Sequence, residues 1–175
     1  MSVTPREAAG SLERVYGAIG VDAFRLMAVM RAVHLPLELN LAAIADETLD
    51  NPAFMLPYTH ARLAGLMRLA REAGGFDGLG EGVPSLAADA RELLLKLLVY
   101  PDVVADAAIH CAPHRVVRYA LELAGEFHRF YARHRVFGQP ARCFQVGMGL
   151  IRGTKAILRH AMGDLCALST PEQLD

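Results

Sequence analysis

The sequence predicts an all-α fold, a helical bundle of about six to eight helices in a single domain over residues 1–175. Three observations carry this expectation. Ala and Leu dominate the composition, and both favour helix. Helix-start signals (Pro, Asn, Asp or Ser ahead of an apolar periodic run) recur along the chain, with Gly or Pro as stops. No segment alternates with the period of two that a half-buried strand requires. Apolar residues make up 53% of the 175, which suits a sizeable core and excludes a disordered chain.

Thr4-Pro5-Arg6-Glu7 has capping-box spacing, so a first helix is expected to about Gly17. Asp22 is placed to cap a second, with Phe24, Leu26, Met27 and Met30 as its apolar face. HLPLELN (34–40) reads as extended, and LAAIADETL after it as a short helix. Asn51 and Pro52 open a helix to about Ala73. Pro57 should disturb its first turns, because it offers no N–H to residue 53. GGFDGLGEGVP (74–84), with five glycines and a proline, reads as a flexible loop. Ser85 is placed to cap LAADARELLLKLLVY, and Pro101-Asp102 starts a short helix ending near Cys111. Pro113 starts a long helix, HRVVRYALELAGEFHRFYARHRVF, closed by Gly138. Pro140 opens the last, to about Cys166, and Thr170-Pro171 leads a short tail. No repeat is visible.

Several function classes find no support. There is no GxSxG, P-loop or GxGxxG, so no catalytic residue is assigned. GMGLIRGTK (147–155) lacks P-loop spacing and follows no strand, so it reads as helix packing. His110, Cys111 and His114 are a local group of metal-ligand types, but Pro113 interrupts them and no fourth ligand is signalled. No metal and no cofactor are expected. His128 and His134 are read as exposed. No apolar run reaches the ~20 residues of a membrane span, and the start MSVTPREAAG is too polar for a signal peptide. Three cysteines without a CxxC suit a reduced, cytoplasmic protein.

Net charge is −1, yet its distribution is uneven. Residues 1–113 carry 9 basic and 14 acidic side chains, residues 114–160 carry 9 basic and 2 acidic, and the last fifteen carry three acids. The basic block reads either as a polyanion surface or as a solvated helix face. Arg outnumbers Lys 16 to 2, which suits phosphate contacts and stacking but also follows from a genome rich in G and C. Tyr58 and Arg62 are spaced i, i+4 and share a helix face, while His60 points elsewhere. Tyr119 and Tyr131 lie on the long basic helix among Arg115, Arg118, Arg129, Arg133 and Arg135. Aromatic faces stack unpaired bases and guanidinium groups hold phosphates. Each tyrosine is also readable as core, but the combination points to RNA, with neither DNA nor membrane as partner.

Five stretches, in order, carry a family resemblance: GVDAFRL with Asp22-Ala23-Phe24-Arg25, DNPAFMLPYTHARL, ELLLKLLVYPDVV, PHRVVRYALELAGEFHRFYARHRVFG and ARCFQVGMGLIRGTKAILRHAMGDLCALSTPEQLD. The chain resembles the DALR family, the C-terminal anticodon-binding domain of class I arginyl-tRNA synthetases, over nearly its whole length. Pro57 stands where that family often has Gln, Met55 where it often has an aromatic residue, and Leu174-Asp175 where its chain usually ends in Met.

The resemblance implies a helical bundle of the class I synthetase anticodon-binding type and a tRNA partner, arginine tRNA foremost. It implies that Tyr58 and Arg62 face the anticodon loop, that Tyr131 stacks on or supports a base, and that His60 is structural. The HIGH-like and KMSK-like signatures of the catalytic domain are absent, so recognition without catalysis is expected. SVTPREAAGSLERVYGAIGVDAFRL resembles the segment after the KMSK loop. The chain is then either an excised part of an arginine–tRNA ligase or a free-standing paralogue, with a catalytic synthetase domain as a further partner. The competing expectation is a scaffold that kept the fold and lost RNA, its apolar patch at Leu26, Met27, Met30 and Val33 open to a homodimer partner.

Overall fold

The computed structural model describes residues 5–74 and 87–173. The cap expected at Thr4, most of the glycine-rich 74–84 loop, the Ser85 cap and the last two residues lie outside them. Among the described residues there are seven α-helices, a closing π-helical turn and no strand. Helix α1 is Pro5–Met30, α2 Leu41–Ala45, α3 Pro52–Glu72, α4 Ala88–Leu98, α5 Tyr100–Ile109, α6 His114–Arg133 and α7 Ala141–Arg159. The π-turn, His160–Leu165, completes α7.

The two helices expected before residue 31 are one element broken at Gly20, whose φ of 80° and ψ of 162° only glycine adopts at low cost. Asn51 caps α3 by accepting from the Ala53 N–H at 3.0 Å. Its amide nitrogen also donates to the carbonyls of Ile44 (2.8 Å) and Asp46 (2.6 Å), which ties α2 to α3. Helix α3 runs through Pro57, which falls in the opening turns where one missing hydrogen bond matters least.

Helix α6 is central. It packs against α1, α3, α4, α5 and α7, and α3 also packs against α7. Leu56, Leu63, Leu93, Leu123, Phe127, Met148, Ile151 and Leu158 are wholly buried between these helices. Tyr119 belongs to this core, 4% exposed, with its hydroxyl donating to the Lys96 carbonyl at 2.6 Å.

Two expectations are corrected. The long basic helix stops at Arg133, so Arg135 is not on it. His134 turns extended (ψ 117°), which drops Val136 into the core at 4% exposure. There Val136 rests on Gly147 of α7, where an added Cβ would lie 2.7 Å from a Val136 methyl. That close approach gives GMGLIRGTK its packing role. The apolar patch expected at Leu26 is also dissolved. Leu26 is 3% exposed, and Met27 and Met30 are half-buried against the core because this half of α1 packs on α3 and α6. Val33 remains fully exposed.

The tail after α7 is tied back to the start of the chain. The Leu168 N–H bonds to the Met162 carbonyl (2.9 Å), with Ala167 in the left-handed region at φ 51°. The Ser169 N–H donates to Asp22 (3.1 Å), and Arg25 donates to the Ala167 carbonyl (3.2 Å). Asp22 and Arg25, the charged ends of Asp22-Ala23-Phe24-Arg25, thus hold the C-terminal tail.

Candidate nucleic-acid interface

Phe54, Tyr58 and Arg62 recur every four residues on α3 and so share one side of it. On α6, Tyr131 stands four residues after Phe127 and three after His128, so it neighbours both. Where the helices meet, Phe54 stacks on Tyr58 (centroids 5.3 Å apart) and Tyr58 on His128 (5.9 Å), both with rings about parallel at 21°. Tyr131 packs on Phe127 at 5.8 Å. The Arg62 guanidinium lies 5.0 Å from the centre of the Tyr131 ring and 6.0 Å from that of Tyr58, and donates to the Tyr58 hydroxyl at 3.2 Å. The structure therefore brings Tyr58, Arg62 and Tyr131 together. No carboxylate forms an ion pair with Arg62 among the described residues.

His128 and Thr59 were not singled out as part of this group, and His128 is half-buried rather than exposed. The Thr59 hydroxyl donates to the Met55 carbonyl at 2.7 Å, so its oxygen accepts from His128 Nε2 at 2.9 Å. Burial, then the positive charge of Arg62, lowers the His128 pKa. The available signal was spacing: His128 is three residues from Tyr131 and so shares its side of α6.

The arginines of α6 occupy a different surface. Arg129 and Arg133 each stand two residues from Tyr131, roughly 160° away around the helix. Arg115 and Arg118 share their stripe. Arg115 pairs with Asp106, Arg129 with Glu126, and Arg133 with Asp89 at 2.9 Å. Lys96 adds a pair with Glu122 on the same side. Arg118 is exposed and lines a shallow cleft with Arg115, Asp106 and Glu122. Arg135, beyond the helix, lines another with Arg133, His134 and Gln139. These five arginines and the Tyr58–Arg62–Tyr131 group do not form one continuous surface.

Beside Tyr58 and Arg62 an open cleft is completed by Ala61, Arg68, Glu172 and Gln173, the last two from the tail. His60 points away from it and is fully buried, with Nδ1 donating to the Pro171 carbonyl at 2.8 Å. Burial lowers its pKa, opposed by the Pro171 bond.

His110 is engaged with Asp106 at 3.1 Å, and no group of three or more His, Cys, Asp or Glu side chains among the described residues could hold a metal ion. No described helix is long and apolar enough to cross a membrane.

The sequence profile of the DALR anticodon binding domain matches residues 56–174, which include the α3 and α6 residues of this seam from Tyr58 onward and the tail to Gln173. The chain is 36% identical over 173 residues to an arginine–tRNA ligase of Desulforamulus reducens, and 34% identical over 168 residues to one of Desulfitobacterium hafniense. Each match covers 94% of this chain and 30% of the relative, so the chain spans about a third of the length of the curated relatives it matches. The solved arginyl-tRNA synthetase of Thermus thermophilus shares the fold, with a TM-score of 0.71, 21% identity, and coverage of 99% of this chain and 28% of that one. A profile match over more than half the chain, on the helices just described, places the protein in the DALR anticodon binding domain family.

Proposed function

We propose that the chain is a cytoplasmic tRNA-recognition module that grips the anticodon arm of arginine tRNA. It contributes recognition to arginyl-tRNA aminoacylation and leaves the chemistry to a separate catalytic domain. Tyr58, Arg62 and Tyr131 contact unstacked anticodon bases and the phosphates beside them, with Arg68 as the next cation along the same cleft. The observation that carries this reading is the state of Arg62: a guanidinium held by two aromatic rings and a hydroxyl, with its charge uncompensated by any paired carboxylate among the described residues. Such a group offers phosphate donors and a stacking plane at once. Arg118 and Arg135 are secondary phosphate contacts for RNA extending past the seam. Arg115, Arg129 and Arg133 contribute least, because their carboxylate partners compete.

The test is a titration against arginine tRNA and one unrelated tRNA at two salt concentrations. Preference for arginine tRNA that weakens with salt and with anticodon changes is the expected result, since phosphate contacts release counterions. Equal affinity for both tRNAs would reduce the site to a general polyanion surface, and no binding to either would end the proposal.

A further inference from the structure

We propose that His60 is a positioning residue: its bond to the Pro171 carbonyl holds the C-terminal tail so that Glu172 and Gln173 form the second wall of the Tyr58–Arg62 cleft.

His60 puts a polar ring where burial favours an apolar side chain. It is 0% exposed, and its Nε2 is buried with no hydrogen-bond partner among the described residues. An unsatisfied buried nitrogen costs free energy that an apolar residue avoids. Its one bond crosses 111 residues to the tail, and a carbonyl only accepts, so Nδ1 carries the proton. The charged groups around it are Lys155 and Arg159 of α7 and Glu172 of the tail. Burial, reinforced by Lys155 and Arg159 and opposed by the Pro171 bond and Glu172, lowers the His60 pKa, which favours the neutral ring with its proton directed at Pro171.

The tail is thus held from three sides. Helix α1 holds Ala167 and Ser169 through Arg25 and Asp22. Helix α3 holds Pro171 through His60. Helix α7 holds Glu172, both of whose oxygens accept from Lys155 at 2.8 Å. Pro171 has no N–H, so its carbonyl is the backbone hydrogen-bonding group by which that residue can be fixed. Next to it, Glu172 and Gln173 face Tyr58 and Arg62 across the cleft. Lys155 offsets the Glu172 charge, and the lone pairs left on its carboxylate, with the Gln173 amide, can accept from the amino edge of a splayed base.

This inference rests on the RNA reading of the cleft, and the experiment separates the two. Affinity for arginine tRNA is measured for the chain, for a form ending at Thr170, for His60→Leu, for His60→Asn and for His60→Leu combined with the truncation. Hydrogen exchange of the 166–173 amides in the full-length forms is followed in parallel without RNA. The truncation and His60→Leu are each expected to weaken binding by about five- to tenfold, and the combination by no more than either alone. His60→Asn, which keeps a donor near the Nδ1 position, should restore most of the loss. Exchange at 166–173 should quicken in His60→Leu and not in His60→Asn. The truncation leaves His60 in place, so it reads the wall even if His60→Leu folds poorly. Unchanged affinity on truncation, or losses that add, would overturn the inference while the RNA reading stands. Unchanged exchange in a folded His60→Leu would overturn the pin whatever the RNA does. If the wild-type chain binds no tRNA, the RNA reading falls and takes the wall's role with it.

Discussion

Helix α6 is flanked by two kinds of arginine, and they are held in opposite ways. On its outer stripe Arg115, Arg129 and Arg133 rest on Asp106, Glu126 and Asp89. These acids come from α5, α6 itself and α4, so three of the nine basic side chains of residues 114–160 are paired with them in space, two of the three with acids from outside the block. On its inner side Arg62 arrives from α3 and lies over Tyr131 and beside Tyr58. Ring faces attract a cation without cancelling its charge. The difference teaches that a count of arginines measures composition, whereas the partner of each guanidinium decides where a polyanion is attracted. The Asp106 carboxyl shows the outer side at work: the Arg115 hydrogen bond holds its pKa below the ordinary value.

The sharpest break in the comparison is structural. Phe127 supports Tyr131 and His128 from beneath and is 0% exposed. Phe127→Ala should cost about 3–5 kcal/mol in a urea or guanidinium titration, the range for truncating a buried aromatic. A cost below about 1 kcal/mol would mean that the inner face does not depend on core packing.

Next in size is RNA affinity. Arg62→Ala and Tyr131→Ala should each cost about 1–3 kcal/mol of binding to arginine tRNA, the range for losing a stacked base contact. Arg129→Ala should change affinity less than about twofold, as befits a paired rim charge. Arg62→Lys should recover little, because an ammonium neither stacks nor forks. A larger loss at Arg129 than at Arg62 would invert the assignment of the two faces.

Much of this was legible in the sequence, and what was not has identifiable causes. Helix positions followed from local signals: Asn51-Pro52 begins α3, and the broken pattern at 34–40 lies in the non-helical link before α2, which opens with a turn at 33–34 rather than running extended throughout. Tyr58 with Arg62 followed from i, i+4 spacing, which is fixed within one helix. The end of α6 was misplaced because periodicity continues into Arg135, whereas the stop is dictated by Val136 seating on Gly147, a contact between elements. Leu26 lies on the apolar face that periodicity marks, and only its expected exposure fails, since amphipathicity says that a face is buried but not what covers it. Tyr131 and Arg133 look interleaved in one dimension and stand on opposite sides of the helix in three. Spacing sets His128 beside Tyr131, and the resemblance gives His60 a structural part, but neither names the hydrogen-bond partners, which lie 69 and 111 residues away.

Acid offers a smaller lever on the inner side. His60 and His128 both have folded pKa values below the ordinary 6.5, each chiefly because burial disfavours the charged ring. The unfolded chain therefore binds more protons just below pH 6.5, and stability rises with pH there. Their contribution is fully present above about pH 6.5 and is lost as pH falls toward the folded values. Lys155 and Arg159 reinforce the shift at His60, which Pro171 and Glu172 oppose; Arg62 reinforces it at His128. Thermal unfolding between pH 5 and 8 should show the midpoint falling on the acid side. His128→Gln, which keeps an amide donor for Thr59, should flatten part of that slope. An identical slope in the variant would remove His128 from the account.

The smallest effect is expected on the outer stripe. The Arg133 side chain is 65% exposed, and its bond to Asp89 sits in water and salt. Exposed pairs of this kind contribute about 0–1 kcal/mol, because solvent screens the attraction and two long side chains lose rotamer freedom. Arg133→Ala should therefore leave the unfolding free energy within about 0.5 kcal/mol of wild type, and the residue should lose even that effect at high ionic strength. It should also leave Asp89 with His134, 3.3 Å away, in place of its arginine partner, and so more negative on that side. Any effect on RNA would then be slight repulsion near Arg135. If Arg133→Ala instead destabilised the fold by several kcal/mol, the outer stripe would be a structural network in its own right. Its arginines would then be buried in function if not in area, and the two faces of α6 would differ in partner but not in importance.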